Sequence, residues 1–221
     1  MCTRFSFDVN REKIKRQYNI SFKQDLDRSY NIGPAQLAYV LTSNSEQLLK
    51  YHWGLIPYWS QDFNSGTHLT VAMIEGIESK YSFRMPVRYQ RCVIFADSYY
   101  DLVRKNYKNY NYRIFDASAN ILAFAGIWDV WKDAANQEHY SFSIISIAAD
   151  DHLKEIGLSR MPAILNDEES ISKWLNYDLD FKEILNNLKN SNHPYLSFYT
   201  IADDINDSKN DFSELQLEYK I

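Results

Sequence analysis

The chain lacks the features that mark secreted and membrane proteins. It contains only two cysteines, Cys2 and Cys92, so at most one disulfide can form, and nothing indicates a disulfide-stabilised secreted scaffold. No apolar run approaches the roughly 20 residues that cross a bilayer. The N-terminus carries Arg4 and Asp8 where a secretory signal would have an apolar segment. We therefore expect an intracellular, cytoplasmic protein without membrane association.

An excess of positive charge is also missing. The net charge of −5 argues against a protein that binds polyanions in general. The basic residues Lys80, Arg84, Arg88 and Arg91 nevertheless follow one another without an intervening acid. A local basic groove is compatible with nucleic acid, because only the contacted phosphates matter. From charge alone, an ordinary solvated surface is the simpler interpretation.

What is present suits a packed core rich in β-structure. Apolar residues make up 45% of the chain and aromatic residues 15%, with 17 tyrosines and 12 phenylalanines. The alternating segments 36–42 and 48–56 predict a hairpin around Ser43–Ser45. The segments 112–115 and 121–125 predict a second hairpin. Two further strands are predicted at 92–96 and 140–147.

Helical patterns are concentrated near the C-terminus. Ile171, Trp174 and Leu175 share a helical face, and Asp180 is a predicted N-cap for the helix that follows. Residues 10–20 predict another short helix. There is no internal repeat, low-complexity tract or linker, so we predict one α+β domain over residues 1–221. It comprises a mainly antiparallel sheet with flanking helices. The core spans about residues 2–211, and an acidic C-terminal tail follows.

Cys2 directly follows Met1. If Met1 is removed, Cys2 carries a thiol and a free α-amine, and the reference pKa of an α-amine is roughly 7.7–8.0. Such a 1,2-aminothiol forms an imine with an aldehyde through nitrogen, and sulfur then closes a five-membered thiazolidine ring. A chance cysteine beside the start is the simpler interpretation of this residue alone, so the other motifs must decide.

Several motifs, taken in order, resemble one known family. They are Met1-Cys2-Thr3-Arg4-Phe5, Tyr30-Asn31-Ile32-Gly33-Pro34, Trp53-Gly54-Leu55-Ile56-Pro57-Tyr58-Trp59, Phe83-Arg84, Arg91-Cys92-Val93-Ile94-Phe95-Ala96-Asp97, Phe124-Ala125-Gly126-Ile127-Trp128, Arg160-Met161-Pro162-Ala163-Ile164-Leu165 and Asn206-Asp207-Ser208-Lys209-Asn210-Asp211. Together they are similar to the SRAP family (SOS response-associated peptidase), also described as abasic-site processing proteins. The resemblance extends over nearly the whole chain.

The resemblance implies a single domain with a β-barrel-like core, no metal and no organic cofactor. It also implies that the protein senses abasic sites in single-stranded DNA within a DNA damage response. Cys2 would condense with the C1′ aldehyde of the open sugar into a thiazolidine, a covalent DNA–protein cross-link. The word peptidase in the family name is usually linked to self-removal of residues before the cysteine. We expect a monomer that associates with the nucleoid when bound to DNA.

The resemblance assigns catalytic roles to Cys2, Asp101 and Glu75. Asp101 follows the run Asp97-Ser98-Tyr99-Tyr100, where the family usually has Glu, and it is one methylene shorter. A carboxylate there can still transfer protons.

Three positions depart from the family pattern. Val71 and Met73 replace its Asn and Arg, and Leu158 replaces its His. We therefore predict slower cross-linking and poorer reversal. His152 and His68 are candidate substitutes, although a lone histidine is more often an ordinary surface or core residue.

DNA contacts are predicted from the same resemblance. Arg4, Arg84 and Arg160 match positions that neutralise phosphates. Pro34, Trp53 and Trp59 are candidates to stack on or wedge between bases, although core packing is the better interpretation for at least one tryptophan. Asn31 is predicted to order the segment around Cys2.

Two other functions remain open at this point. One is a single-stranded DNA-binding module without cross-linking, which the departures at Val71, Met73 and Leu158 favour. The other is a cysteine-dependent (auto)peptidase, which would need a histidine near the thiol. The retained Cys2 favours the cross-linking hypothesis.

Overall fold

The alternating apolar segments form the strands of two sheets. In the computed structural model of the chain, residues 2–43, 45, 47–190 and 193–220 are described. Their strands are β1 (Arg4–Phe7), β2 (Ser29–Ile32), β3 (Leu37–Thr42), β4 (Leu49–Trp53), β5 (Val71–Met73), β6 (Arg91–Ala96), β7 (Ser98–Lys105), β8 (Lys108–Asp116), β9 (Leu122–Lys132), β10 (Glu138–Ala148), β11 (Arg160–Pro162), β12 (Ile164–Leu165) and β13 (Leu196–Ile201). Their α-helices are α1 (Arg11–Tyr18), α2 (Pro86–Tyr89), α3 (Asp151–Glu155), α4 (Glu168–Leu175) and α5 (Phe181–Asn190).

The larger sheet closes on itself. Strands β10, β4, β3, β6 and β9 are hydrogen-bonded in that order, and β9 also pairs with β10, which completes a five-stranded barrel. The β10–β4 pair is parallel and the other four pairs are antiparallel. The extra strands β5 and β11 pair with β10, and β12 pairs with β9. The predicted α+β fold with a barrel-like core is confirmed.

The second sheet has the order β13–β8–β7–β1–β2 and is antiparallel throughout. It meets the barrel through Phe5 of β1, whose ring centroid lies 5.1 Å from that of Trp53 and 6.3 Å from that of Phe124. Burying these large aromatic rings holds β1 against the barrel. The segment that begins with Cys2 is therefore anchored between the two sheets.

One predicted hairpin is confirmed and the other is wrong. Strands β3 and β4 pair as expected, although Asn44 of the predicted turn lies outside the described residues. Strands β8 and β9 belong to different sheets, and β8 forms its hairpin with β7 instead. That hairpin turns at Asn106 and Tyr107, whose φ angles are 51° and 61°. Two positive φ angles suit a type I′ turn, but its usual Asn-Gly sequence signal is missing here.

The predicted helices form, and Asp180 caps α5 as expected. The Asp180 carboxylate accepts hydrogen bonds from the backbone N–H groups of Lys182 and Glu183 at the start of α5. Asp167 and Ser170 form a capping box at the start of α4. Within the described residues, no helix combines the length and the apolar character that a membrane crossing requires.

Candidate functional site

Cys2 lies immediately before β1 and is almost completely buried, with 4% of its surface exposed. The backbone N–H of Thr3 donates to the carbonyl of Tyr100 at 3.0 Å, which attaches this segment to β7. The Cys2 thiol donates a weak hydrogen bond to the Arg4 carbonyl at 3.5 Å. The fold thus holds the predicted reactive residue against β7.

The facing side of β7 carries Tyr99, Asp101 and Val103, which alternate along the strand and are all buried. We call this side the inner face. Burial raises the pKa of Asp101, while a hydrogen bond from the Leu102 N–H opposes that rise. Burial and the Asp101 charge together raise the pKa of the Cys2 thiol. The structure therefore brings Cys2 and Asp101 together, with the thiol protonated at neutral pH.

An apolar turn covers the inner face. The turn after α3 approaches β7 so closely that a Cβ on Gly157, whose φ is +102°, would lie 3.1 Å from Val103 Cγ1. Leu158 follows this turn and is 4% exposed. The position where the resemblance implies a histidine is thus a buried leucine, which cannot transfer a proton.

Arg4 and Asn31 connect β1 to the C-terminal segment. Arg4 Nη1 donates to Asn31 Oδ1 at 2.9 Å, and Asn31 Nδ2 donates to the carbonyls of Asp207 and Asn210 at 3.0 and 2.8 Å. Arg4 passes over Gly33 so closely that a Cβ there would lie 2.6 Å from Nη1. Protein atoms therefore engage the Arg4 guanidinium, and the segment around residues 207–210 is folded against β2.

Glu75 and Arg160, predicted for catalysis and DNA binding, pair with each other. Arg160 Nη2 lies 2.8 Å from Glu75 Oε2, and its guanidinium also donates to Ser146 of β10. Desolvation raises the pKa of Glu75, but the hydrogen bond and charge of Arg160 outweigh this effect and hold the pKa below its ordinary value. Met73 lies opposite Ser146 across the β5–β10 pair and is 37% exposed, and Val71 lies opposite Ile144.

The two candidate tryptophans lie in opposite environments. Trp53 is fully buried, its indole N–H donates to the Thr70 carbonyl, and its ring stacks on Phe142. The prediction that Trp53 stacks on bases is therefore corrected, because a base cannot reach it. Trp59 is 43% exposed and its ring lies 4.9 Å from that of Tyr81.

Tyr81 in turn carries Arg84, whose Cζ lies 4.6 Å from the ring centroid. We call Trp59, Tyr81 and Arg84 the aromatic–basic surface. Pro34 is exposed at a separate turn, where the Gln36 N–H donates to the Gly33 carbonyl.

The candidate histidines lie in ordinary environments. His152 stacks on Tyr195 with ring centroids 5.1 Å apart and also packs on Phe198 of β13, two strands away from β7 in the sheet. His68 is exposed. No group of three or more His, Cys, Asp or Glu side chains in the described part of the chain is arranged to hold a metal ion.

Sequence reasoning missed Tyr99 and Tyr81. Tyr99 precedes Asp101 by two residues, so the alternation of a strand would have placed both on one face. Tyr81 precedes Arg84 by three residues, which in a compact turn brings the two side chains together.

Comparisons with known proteins show the family to which the chain belongs. A sequence model of the family SOS response associated peptidase (SRAP) matches residues 1–208. The chain belongs to the SRAP family. It is 32% identical to the abasic site processing protein YoqW of Bacillus subtilis, with 97% of this chain and 98% of YoqW covered. It is 28% identical to the mouse abasic site processing protein HMCES, covering 97% of this chain and 75% of HMCES.

Solved structures share this SRAP fold. A protein from Bacteroides thetaiotaomicron superposes with a TM-score of 0.84 at 28% identity, covering 97% of this chain and 99% of that one. A protein from Bordetella bronchiseptica superposes with a TM-score of 0.75 at 20% identity and supports the fold alone.

Proposed function

We propose that this protein processes abasic sites in single-stranded DNA by forming a thiazolidine cross-link through Cys2. One observation carries the proposal. The buried Cys2 thiol, just before β1, lies near the buried Asp101 carboxyl of β7. Membership of a family whose relatives are named abasic site processing proteins supports it. The chemistry requires that Met1 be removed, so that Cys2 carries its own α-amine.

The reaction has two bond-forming steps. The Cys2 amine attacks the C1′ aldehyde, and the resulting carbinolamine loses water to give an iminium ion. The Cys2 sulfur then attacks the iminium carbon, a C–S bond forms, and the C=N electron pair returns to nitrogen. The thiol proton leaves to a base, so the product is protein plus DNA minus one water.

Asp101 is the base that we assign to the second step. A thiol whose pKa is raised by burial must lose its proton during attack, and Asp101 is the carboxylate whose charge acts on it. Because burial raises the pKa of Asp101 itself, this group binds a proton more readily than an exposed aspartate does. In the preceding step the protonated form of the same carboxyl donates the proton with which hydroxide leaves the carbinolamine as water, and the resulting carboxylate is then ready to accept the thiol proton.

The aromatic–basic surface supplies the DNA contacts in this proposal. Trp59 and Tyr81 present exposed rings, which stack on bases of any sequence. Arg84 lies over the Tyr81 ring and is exposed, so it is available to a phosphate. Arg4 and Arg160, by contrast, are predicted DNA ligands that already bind protein groups, and they can contribute only by exchanging those partners.

A DNA-binding module without cross-linking is the second candidate. The buried Leu158 favours it, because this side of the site has lost the proton-transfer group that the family resemblance implies. A cysteine peptidase is disfavoured, because it would need a histidine beside the thiol, and the position where the family resemblance implies a histidine holds the buried Leu158.

Intact-protein mass spectrometry tests the proposal. The protein is measured before and after incubation with a single-stranded oligonucleotide that carries one abasic site. The control oligonucleotides are an undamaged strand and an abasic strand whose aldehyde is blocked by an alkoxyamine. We expect loss of Met1 and a heat-stable adduct of protein plus DNA minus one water, formed only with the free aldehyde.

Cys2→Ala is the control variant, and it should bind the oligonucleotide without forming the adduct. If the wild-type protein lacks Met1 and binds DNA but forms no adduct over hours, the cross-linking proposal is wrong and the binding module replaces it.

A further inference from the structure

The Tyr99 hydroxyl is a buried donor that has no hydrogen-bond partner among the residues that the structure describes. It is fully buried, and its oxygen makes no hydrogen bond to any described residue. The two other fully buried tyrosines are both satisfied: Tyr18 donates to the Ile121 carbonyl at 2.6 Å and Tyr100 to the Tyr30 carbonyl at 2.8 Å. An unsatisfied buried hydroxyl destabilises a fold, because the hydrogen bonds that it made to water in the unfolded chain are not replaced. Such a group in a folded protein requires an explanation.

Tyr99 lies beside the two reacting groups of the proposed site. It is opposite Phe5 in the β1–β7 pair. The Thr3 N–H donates to the Tyr100 carbonyl, so the pairing continues along β7 toward Cys2. Strand alternation puts Tyr99 on the inner face with Asp101. Its ring packs edge-on against Phe124, with centroids 6.0 Å apart. Burial, followed by the charges of Cys2 and Asp101, raises the pKa of Tyr99 well above its ordinary value. The hydroxyl therefore keeps its proton, and a nearby acceptor would stabilise it by accepting a hydrogen bond.

The second bond-forming step creates such an acceptor. As the thiol proton moves to Asp101, negative charge develops on the Cys2 sulfur in a site that excludes water. A hydrogen-bond donor that is already positioned there stabilises this charge without reorganisation. In the present structure the thiol donates a weak hydrogen bond to the Arg4 carbonyl, and rotation of the Cys2 side chain breaks this bond.

We propose that the Tyr99 hydroxyl donates a hydrogen bond to the Cys2 sulfur during thiazolidine closure. This inference rests on the proposed function. Tyr99 keeps its proton throughout: the C–S bond forms from a sulfur lone pair, the thiol proton goes to Asp101, and the C=N electron pair returns to nitrogen. Tyr99 is a positioning residue in this role, because it acts on the substrate through Cys2.

The test compares Tyr99→Phe with Tyr100→Phe. The two residues are neighbours on one strand, and each change removes one hydroxyl and nothing else. Imine formation is measured by borohydride trapping of the adduct, and ring closure by the appearance of the heat-stable adduct. Both rates are followed across pH, and thermal unfolding is recorded for each variant.

For Tyr99→Phe we expect ring closure to slow about tenfold, since one hydrogen bond to a developing charge is lost. The pH profile of closure should move to higher pH, because the thiolate is less stabilised. Imine trapping should stay within about twofold of wild type, and the unfolding temperature should be unchanged or higher. Tyr100→Phe should lower the unfolding temperature and leave both rates unchanged.

Ring closure at the wild-type rate in Tyr99→Phe overturns the inference. So does an equal loss of imine trapping and closure, which indicates a general disturbance of the site. A lower unfolding temperature in Tyr99→Phe overturns it too, because an unpartnered hydroxyl should not stabilise the fold. Absence of any adduct with the wild-type protein refutes the proposed function instead.

Discussion

The two faces of β7 treat their polar groups in opposite ways. On the outer face Tyr100 is hydrogen-bonded, and the Ser98 hydroxyl accepts from Arg113 at 2.9 Å. Arg113 also pairs with Asp97 at 3.1 Å. On the inner face the Tyr99 hydroxyl has no partner among the described residues, and burial raises the pKa of Asp101.

This difference indicates that the polar groups of the outer face stabilise the fold, whereas those of the inner face are candidates for the chemistry. The outer network joins residues far apart in the chain, since Asp97 also accepts from Gln216 near the C-terminus at 2.9 Å. Satisfied buried networks of this kind stabilise one arrangement of the chain. On the inner face, burial favours the protonated form of Asp101, and the Tyr99 hydroxyl lacks an acceptor among the described residues. Shifted pKa values and unsatisfied polar groups of this kind are typical of reactive sites.

The largest expected effect comes from Cys2→Ser, which tests whether the inner face carries the chemistry. The hydroxyl cannot supply the thiolate that closes the ring, while the α-amine is retained. We therefore expect complete loss of the heat-stable adduct, with the borohydride-trapped imine still formed, measured by intact-protein mass spectrometry. Cys92→Ala is the matched control, because Cys92 is the other buried cysteine and lies on a barrel strand. A normal heat-stable adduct in Cys2→Ser would contradict the assignment.

Asp101→Asn tests two effects of the Asp101 carboxyl in one variant: its role as proton acceptor in ring closure, and its cost to the stability of the fold. Loss of the proton acceptor should slow ring closure on the order of 100-fold. Because burial raises the pKa of Asp101 in the folded state, wild-type stability decreases as the pH rises through that pKa. The uncharged Asn avoids this loss, so the variant should unfold at a higher temperature near neutral pH, and the advantage should vanish in acid.

Thermal melts between about pH 4 and pH 8, together with adduct kinetics, check this expectation for the carboxyl. Asp129→Asn is the control, since Asp129 is a buried carboxyl on β9 whose pKa burial also raises. If both variants lose cross-linking to the same extent, Asp101 has no special role.

Arg113→Met tests the outer face. It leaves the mostly buried Asp97 carboxylate without its ion-pair partner, so unfolding should become easier by about 3 kcal/mol. Denaturant titration measures this change. Adduct kinetics at a temperature where the variant remains folded should match wild type. A large kinetic defect in the folded variant would show that the two faces are coupled and would break the comparison.

Arg84→Ala has the smallest expected effect. It tests whether the affinity for DNA comes from the aromatic–basic surface and not from either face of β7. Removing one phosphate contact should reduce the slope of log affinity against log salt by about 0.7. Fluorescence anisotropy with single-stranded DNA between about 50 and 200 mM salt measures the slope. Adduct kinetics at saturating DNA should not change. Arg16→Ala on α1 is the control, and an equal change in both variants would remove Arg84 from the proposed surface.

Local patterns predicted much of the fold. Two apolar segments on either side of a turn signal indicated the β3–β4 hairpin, and Asp180 marked the start of α5. The β8–β9 hairpin prediction failed because the chain between those strands crosses from one sheet to the other, and local sequence does not encode that crossing. The actual turn at Asn106–Tyr107 lacks the glycine that would have indicated it.

For the candidate site, sequence motifs proposed several of the residues, but they did not indicate which of those side chains are exposed. Arg4, Arg84 and Arg160 were equivalent as sequence, yet the structure leaves Arg84 on the surface and engages the other two. Trp53 and Trp59 belong to one motif, and only Trp59 is exposed. Each outcome depends on partners that lie far away in the chain.

The sequence by itself determined the order of the motifs, the strand and helix periodicities, and the place of a cysteine directly after Met1. Chain-local chemistry is sufficient for these, because caps and alternation involve neighbours within a few residues. Only the tertiary structure decided that Asp101 and Tyr99 are buried near enough to Cys2 to interact with it electrostatically, and that Leu158 occupies a buried position after the turn that covers this face. Burial and the unpaired hydroxyl arise when distant segments pack together, and this packing shifts the pKa values on which the proposed chemistry depends.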